Sequence, residues 1–162
     1  MCSRQQLSKL WDTDDLIGLG ALADAVRTRL HPSDIVTYTT ASEEVVVTRV
    51  FGTRDNFESR MSMLEEISEA VAFLPLVESD ATGVQYLKTL ALSRIVLENV
   101  LHIQASHQLF GLKVAQIALR FGADDLGVTG GKASEEELRR LIRDAGFTPK
   151  QRDALFRSYS LA

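Results

Sequence analysis

Three short runs, Val45–Phe51, Ala72–Val77 and His102–Ser106, are each followed by a stretch whose apolar residues recur at helical spacing. This alternation constrains the fold more than any other feature. Neighbouring parallel strands need a crossover of about a dozen residues or more, and an amphipathic helix is the usual one. After the first run, Phe57, Met61, Leu64 and Ile67 form an i, i+4, i+7, i+10 stripe, predicting a helix from Asp55 or Asn56 to about Ala70. After the second, Leu87, Leu90, Ala91, Ile95 and Leu97 mark a helix over Gly83–Asn99; after the third, a helix over Leu112–Phe121 ends at Gly122, a left-handed stop. Ala72–Val77 is apolar on both faces, as a helix-covered strand would be, although Pro75 cannot donate to a ladder.

The flanks extend the pattern. Leu16, Ile17, Leu19, Leu22, Ala23, Val26 and Leu30 predict an amphipathic helix over Asp14–Leu30, stopped before Pro32, and Ile35–Thr40 is a β-branched lead-in strand. The connection Ala41–Glu44 reaches at most about 14 Å, too short for a parallel crossover within one sheet. The lead-in strand is therefore antiparallel to its successor, outside the barrel, or exchanged with a partner. Ser134–Glu137 is a capping box opening a helix that Gly146 closes. Thr148-Pro-Lys-Gln151 has the same form, with Pro149 at the first helical position, and predicts a further helix. No linker interrupts the 162 residues, so one α/β domain is expected: residues 1–40 as helix and lead-in strand, 45–127 as three βα units, and 134–162 as a helical tail.

A net charge of −4 with no basic stripe argues against nucleic acid. The longest apolar stretch, Ala70–Val77, is far short of the roughly 20 residues of a membrane helix, and no signal segment opens the chain, so a cytoplasmic location is expected. The single cysteine, Cys2, excludes an intrachain disulfide, a cysteine-based zinc site and an all-cysteine iron–sulfur cluster from these residues alone.

The short motifs have ordinary readings. Gly127–Lys132 departs from a phosphate loop at Leu126 and Ala133. His102 and His107, an odd number apart on a strand, point to opposite faces, so no shared metal is expected. Ser106 and His107 diverge as strand neighbours and make no catalytic dyad. Asp124 and Asp125 follow a helix stop and read as turn or cap residues. Arg49, in an otherwise apolar strand, points into a polar cavity, to a subunit interface, or out past the helices along its own stem.

Three collinear blocks carry a more specific resemblance. They are Asp15–Pro32 with Val36-Thr-Tyr38; Phe51–Arg60; and Phe73-Leu-Pro-Leu76 through Tyr86–Arg94, His102-Ile-Gln-Ala-Ser106, Gly111–Gln116, Ala118–Gly127 and Ala145–Asp153. Together they resemble the radical-SAM clade of dehypoxanthine futalosine cyclase, aminofutalosine synthase and the F420 side-ring synthase. Asp55 stands where the family has Glu, His107 where it has Trp, and the loop before the tail is shortened at Gly130-Gly131. The family's Cys-x-x-x-Cys-x-x-Cys loop and first five barrel strands have no counterpart; only Ala41–Glu44 occupies their place.

The resemblance implies a partial TIM-type barrel: the N-terminal helix and lead-in strand, the last three βα units and a helical tail. Such a fragment exposes strand edges and an apolar inner face, which predicts a homo-oligomer, most simply a dimer. Without the three thiolates, this chain is expected to hold no cofactor. A 4Fe–4S cluster and S-adenosylmethionine would enter only through a partner supplying the missing half. The resulting expectation is a degenerate, non-catalytic relative of the menaquinone futalosine-pathway enzymes, acting as a binding or assembly protein. Its rivals are a truncated subunit of a split enzyme and an inert remnant, against which the intact caps and helical stripes argue. Barrel enzymes place chemistry at the C-terminal ends of strands, so Arg49, Gln104, Ser106 and His107 are candidate binding residues by location. Asp55 is one that the resemblance implies from the family's Glu position, and a nucleoside or quinone precursor is the expected ligand.

Overall fold

The computed structural model describes residues 2–67, 69–130 and 133–157. In chain order they form α1 (Arg4–Trp11), α2 (Leu16–Leu30), β1 (Ile35–Thr39), β2 (Val47–Phe51), α3 (Phe57–Glu66), β3 (Ala72–Val77), α4 (Gly83–Val96), β4 (His102–Ile103), α5 (Gly111–Ala118), β5 (Asp125–Val128), α6 (Glu135–Asp144) and β6 (Thr148–Gln151). None of these helices is long and apolar enough to cross a membrane.

The expected βα units are present, with β2, β3 and β4 paired in parallel in that order. Pro75 is accommodated because β4 pairs only with Ala72 and Phe73, so its ladder ends below the proline. The second sheet has the order β5-β1-β6, also parallel. The lead-in strand β1 lies between β5 and β6, in a different sheet from its successor β2, so the short connection Ala41–Glu44 makes no crossover within one sheet. The two sheets meet at one parallel bridge, Gln104 with Asp125, flanked by hydrogen bonds from Asp124 N–H to Ile103 O (3.0 Å) and Ala105 N–H to Asp125 O (2.9 Å). Among the described residues the sheets do not close into a barrel, although Val45 N–H, ahead of β2, donates to Ala154 O beyond β6 at 2.9 Å.

Three expectations need correction. Thr148–Gln151 is the edge strand β6, pairing Ile35 with Thr148 through Tyr38 with Gln151. Thr148 and Arg152 donate their N–H groups to Asp34 and Tyr38, so Pro149 between them presents its donor-free nitrogen to the open edge. Gln151 does not return a bond to Thr148; its amide donates to Thr40 Oγ1. The helical tail is thus α6 alone among the described residues, and the tail beyond residue 157 lies outside them, as do Gly131 and Lys132 of the glycine-rich run. The segment beginning at Asp125, read as a turn, is β5. An additional helix, α1, precedes the expected first one, with a Ser3/Gln6 capping box.

Strand alternation divides β2 and β3 into two faces. Phe51, Phe73 and Val77 are buried against Leu64, Tyr86 and Leu90 of α3 and α4. A second cluster joins Leu19 and Ala23 of α2 to Ala91, Leu92 and Ile95 of α4. Gly20 permits this approach: a Cβ there would lie 2.9 Å from the Phe121 ring. Among the described residues the opposite face of β2 and β3 carries no helix, and it leads to the candidate site.

Candidate functional site

On that open face Thr48 and Val50 lie in register with Leu74 and Leu76. Val50 is 53% exposed. Past the ends of the short β4 ladder, Gln104, Ser106 and His107 join Leu74, Leu76, Leu126, Val128 and Glu44 around a cavity of about 370 Å³. A second cavity of about 880 Å³ shares His107, Gln108 and Leu109 and continues over Phe110 and Leu112. Apolar walls with a few convergent polar groups are the usual makeup of a small-molecule site.

Ser106 and His107 are held by their neighbours, and Gln104 Oε1 is not. Ser106 N–H donates to the Tyr86 hydroxyl at 2.8 Å, and burial pushes that phenol well above its ordinary pKa, keeping it protonated. Ser106 Oγ accepts from the backbone N–H groups of Gln108 and Leu109 (3.2 and 3.3 Å), which fixes the turn leaving β4. His107 Nε2 lies 3.0 Å from Val128 O; a carbonyl only accepts, so Nε2 carries the proton and Nδ1 is left as an acceptor. Gln104 is buried, and its Oε1 has no partner among the described residues. Gly127, at φ +78°, is required beside it, because a Cβ there would lie 2.3 Å from Gln104 Nε2.

The flank of the cavity is an ion-pair network absent from the sequence reading. Arg152, fully buried, donates through Nε and Nη2 to both oxygens of Asp125 (2.5 and 2.8 Å) and through Nη2 to Glu44 (3.1 Å). Thr37 Oγ1 donates to Asp125 at 2.6 Å. Burial lowers the Arg152 pKa, but the two carboxylates outweigh it and hold the guanidinium above its ordinary value. Asp125 is therefore a buried ion-pair partner, not a turn residue. A charge amid a strand run is a signal for such pairing, but spacing alone cannot name its partner.

Two of the five candidate residues lie elsewhere. Arg49 shares the face of Phe51 and Pro75, away from the cavity, and its Nη1 donates to Thr48 O at 2.7 Å. Asp55 closes the loop after β2: its carboxylate accepts from Gly52 N–H at 2.7 Å, while Arg60 donates to Gly52 O and Asp55 O. The structure thus brings Gln104, Ser106 and His107 together and leaves Arg49 and Asp55 apart. Ser106 and His107 make separate contacts, so the cavity offers hydrogen bonding and apolar contact in place of a nucleophile–base pair.

The N-terminal ends of β4, β5 and β1 carry another polar cluster. Asp124, buried, accepts from Arg94 Nη2 (2.6 Å) and Ile103 N–H (2.8 Å) on Oδ1, and from His102 Nδ1 (2.6 Å) on Oδ2. Its position after a helix stop suggested a turn; instead it anchors the strand ends. Burial would raise its pKa, but the His102 hydrogen bond and the Arg94 charge hold the carboxyl below the usual range. His102 faces this cluster and His107 the cavity, at opposite ends of the segment.

Residues 57–161 match the family described as the CofH/MqnC C-terminal region. The match includes Gln104, Ser106 and His107 and begins after Arg49 and Asp55. The chain is 37% identical over 91 residues to the aminodeoxyfutalosine synthase of Streptomyces coelicolor, covering 47% of this chain and 24% of that one. It is 40% identical over 86 residues to the cyclic dehypoxanthine futalosine synthase of the same organism, covering 46% and 22%. It is 37% identical over 95 residues to the 5-amino-6-(D-ribitylamino)uracil–L-tyrosine 4-hydroxyphenyl transferase of Methanocaldococcus jannaschii, covering 49% and 26%. The matched part of the chain spans about a quarter of the length of these relatives. On a match running from the start of α3 through the candidate cavity, the protein belongs to the CofH/MqnC C-terminal-region family and is related to radical-SAM enzymes through that region.

Proposed function

We propose that this chain is a non-catalytic relative of the futalosine-pathway enzymes, a partial TIM-type barrel whose open inner face serves binding or assembly. The observation that carries the reading is the cysteine count: one thiol, Cys2, is present in the 162 residues, whereas the relatives' radical chemistry needs three thiolates on one cluster. The cavity at Gln104, Ser106 and His107 then binds a small apolar molecule bearing hydrogen-bond donors, with a nucleoside or quinone precursor as the class suggested by kinship. The exposed Val45 and Val50 favour cover of the inner face by a second copy.

The direct test is anaerobic reconstitution of the purified chain with iron and sulfide, followed by electron paramagnetic resonance and an assay for reductive cleavage of S-adenosylmethionine. The expected result is no 4Fe–4S signal and no cleavage. A cluster that cleaves S-adenosylmethionine in this chain alone overturns the proposal.

A split enzyme is the second reading, favoured by the outer edge of β2, which pairs with no strand among the described residues. Here a partner supplies the cluster and the S-adenosylmethionine site. Co-purification with a protein carrying the Cys-x-x-x-Cys-x-x-Cys half, and activity only in the mixture, would favour it over the binding protein.

A further inference from the structure

Outside the cavity, the cluster at the N-terminal strand ends has the makeup of a metal site. His31, His102 and Asp124 each offer one ligand atom within 4.8 Å of the others, and both His31 Nε2 and His102 Nδ1 approach Asp124 Oδ2. Tetrahedral coordination with bonds near 2.0–2.1 Å sets neighbouring donor atoms about 3.3 Å apart and two ligating imidazole centroids about 5 Å apart. The His31 Nε2 to Asp124 Oδ2 distance is 3.4 Å, and the two ring centroids are 5.2 Å apart. We infer that His31, His102 and Asp124 form a binding site for a divalent transition metal of the Zn²⁺ class, with a fourth position open to water.

Several features prepare the site. Arg94 and the Ile103 N–H both engage Asp124 Oδ1, which orients the carboxylate with Oδ2 toward the imidazoles. Two nitrogen ligands and one carboxylate oxygen suit zinc and its borderline neighbours. In the ion-free arrangement His102 Nδ1 donates to Asp124 Oδ2 at 2.6 Å and His31 Nε2 donates to Leu101 O at 2.5 Å. A bound ion displaces these two protons and opens the His102–Asp124 contact by about 0.7 Å, to the tetrahedral spacing. Both imidazoles are partly exposed, giving the ion a path and the rings room to adjust.

The position gives the site a role. His102 opens β4, Asp124 immediately precedes β5, and His31 lies just ahead of β1. β4 belongs to one sheet and β1 and β5 to the other, and among the described residues the two sheets are bridged at Gln104–Asp125, so an ion there fastens one sheet to the other. A ligand that binds only the folded form raises its stability by mass action.

The test uses the full chain, free of any affinity tag and stripped with a chelator, titrated with Co²⁺ as a spectroscopic probe and with Zn²⁺ in thermal melts. Expected are one Co²⁺ per chain, with the strong visible absorption of tetrahedral coordination, and a rise of several degrees in Tm with Zn²⁺. His31→Gln, at the exposed rim, should leave the metal-free melt nearly unchanged and weaken Co²⁺ binding by about 100-fold. Cys2→Ser should bind as the parent does. Absence of saturable one-to-one uptake overturns the assignment, as does unchanged affinity in His31→Gln or loss of binding in Cys2→Ser.

Discussion

The two ends of the strands solve opposite problems. At the N-terminal end, Arg94 donates to Gly122 O, Val100 O, Leu101 O and Asp124, and the carboxylate in turn holds His102 and Ile103. The guanidinium of Arg94 and both carboxylate oxygens of Asp124 thus find partners within the chain, although Arg27 Nη1 nearby is buried without one among the described residues. At the C-terminal end, Gln104 Oε1 is buried without one, His107 keeps a free acceptor, and the surrounding walls are leucine and valine. Barrel enzymes place stability at the first end and chemistry at the second, an order the polar contacts here are consistent with although among the described residues the sheets do not close. The Arg94–Asp124 network holds the strand ends together from within the chain, whereas Gln104 Oε1 is left to a donor from outside the described residues.

Deletions at the two ends should therefore differ in sign as well as size. Arg94→Met leaves Asp124 buried and unpaired and frees three carbonyls; we expect a loss of about 3–5 kcal/mol in urea unfolding, enough to leave much of the chain unfolded. Gly127→Ala places a side chain at φ +78° and against Gln104, for an expected loss of about 2 kcal/mol; adding Gln104→Ala should recover the steric part. Gln104→Leu removes the orphan acceptor at nearly constant volume, and stability should rise by up to about 1 kcal/mol while any ligand that donates to Oε1 binds more weakly. A substantial loss of stability in Gln104→Leu would mean that the amide is structural, and the contrast between the ends would fail.

The smallest effect concerns pH. Burial raises the Tyr86 pKa in the folded protein, so its contribution is full below the unfolded value, about 10, and is lost as pH rises through that region toward the folded value. Unfolding free energies measured up the alkaline limb should fall less steeply in Tyr86→Phe, which also gives up the bond from Ser106 N–H.

What could be read from the sequence was what local periodicity dictates. The β2–α3, β3–α4 and β4–α5 units and the capped α6 declare themselves in apolar spacing and caps. β5 and β6 do not, because Asp125-Leu-Gly-Val and Thr148-Pro-Lys-Gln become strands only through pairing with β1, from far away in the chain. The site divides the same way. Gln104, Ser106 and His107 lie together past the end of β4, whereas alternation along β2 puts Arg49 on the face of Phe51, away from that cavity. Arg94, Arg152 and His31 were not singled out because a sequence shows a charge or an imidazole but not the distant carboxylate it meets.

The central claim is that the inner face around Val50, Leu74 and Leu76 belongs against another surface. Absolute mass by light scattering, across a dilution series of the purified chain, tests it most directly. The account expects a dimer or larger species that persists on dilution and shifts toward monomer in Val50→Lys. A compact, folded monomer at every concentration would contradict cover by a second copy and move the missing-half partner to first place.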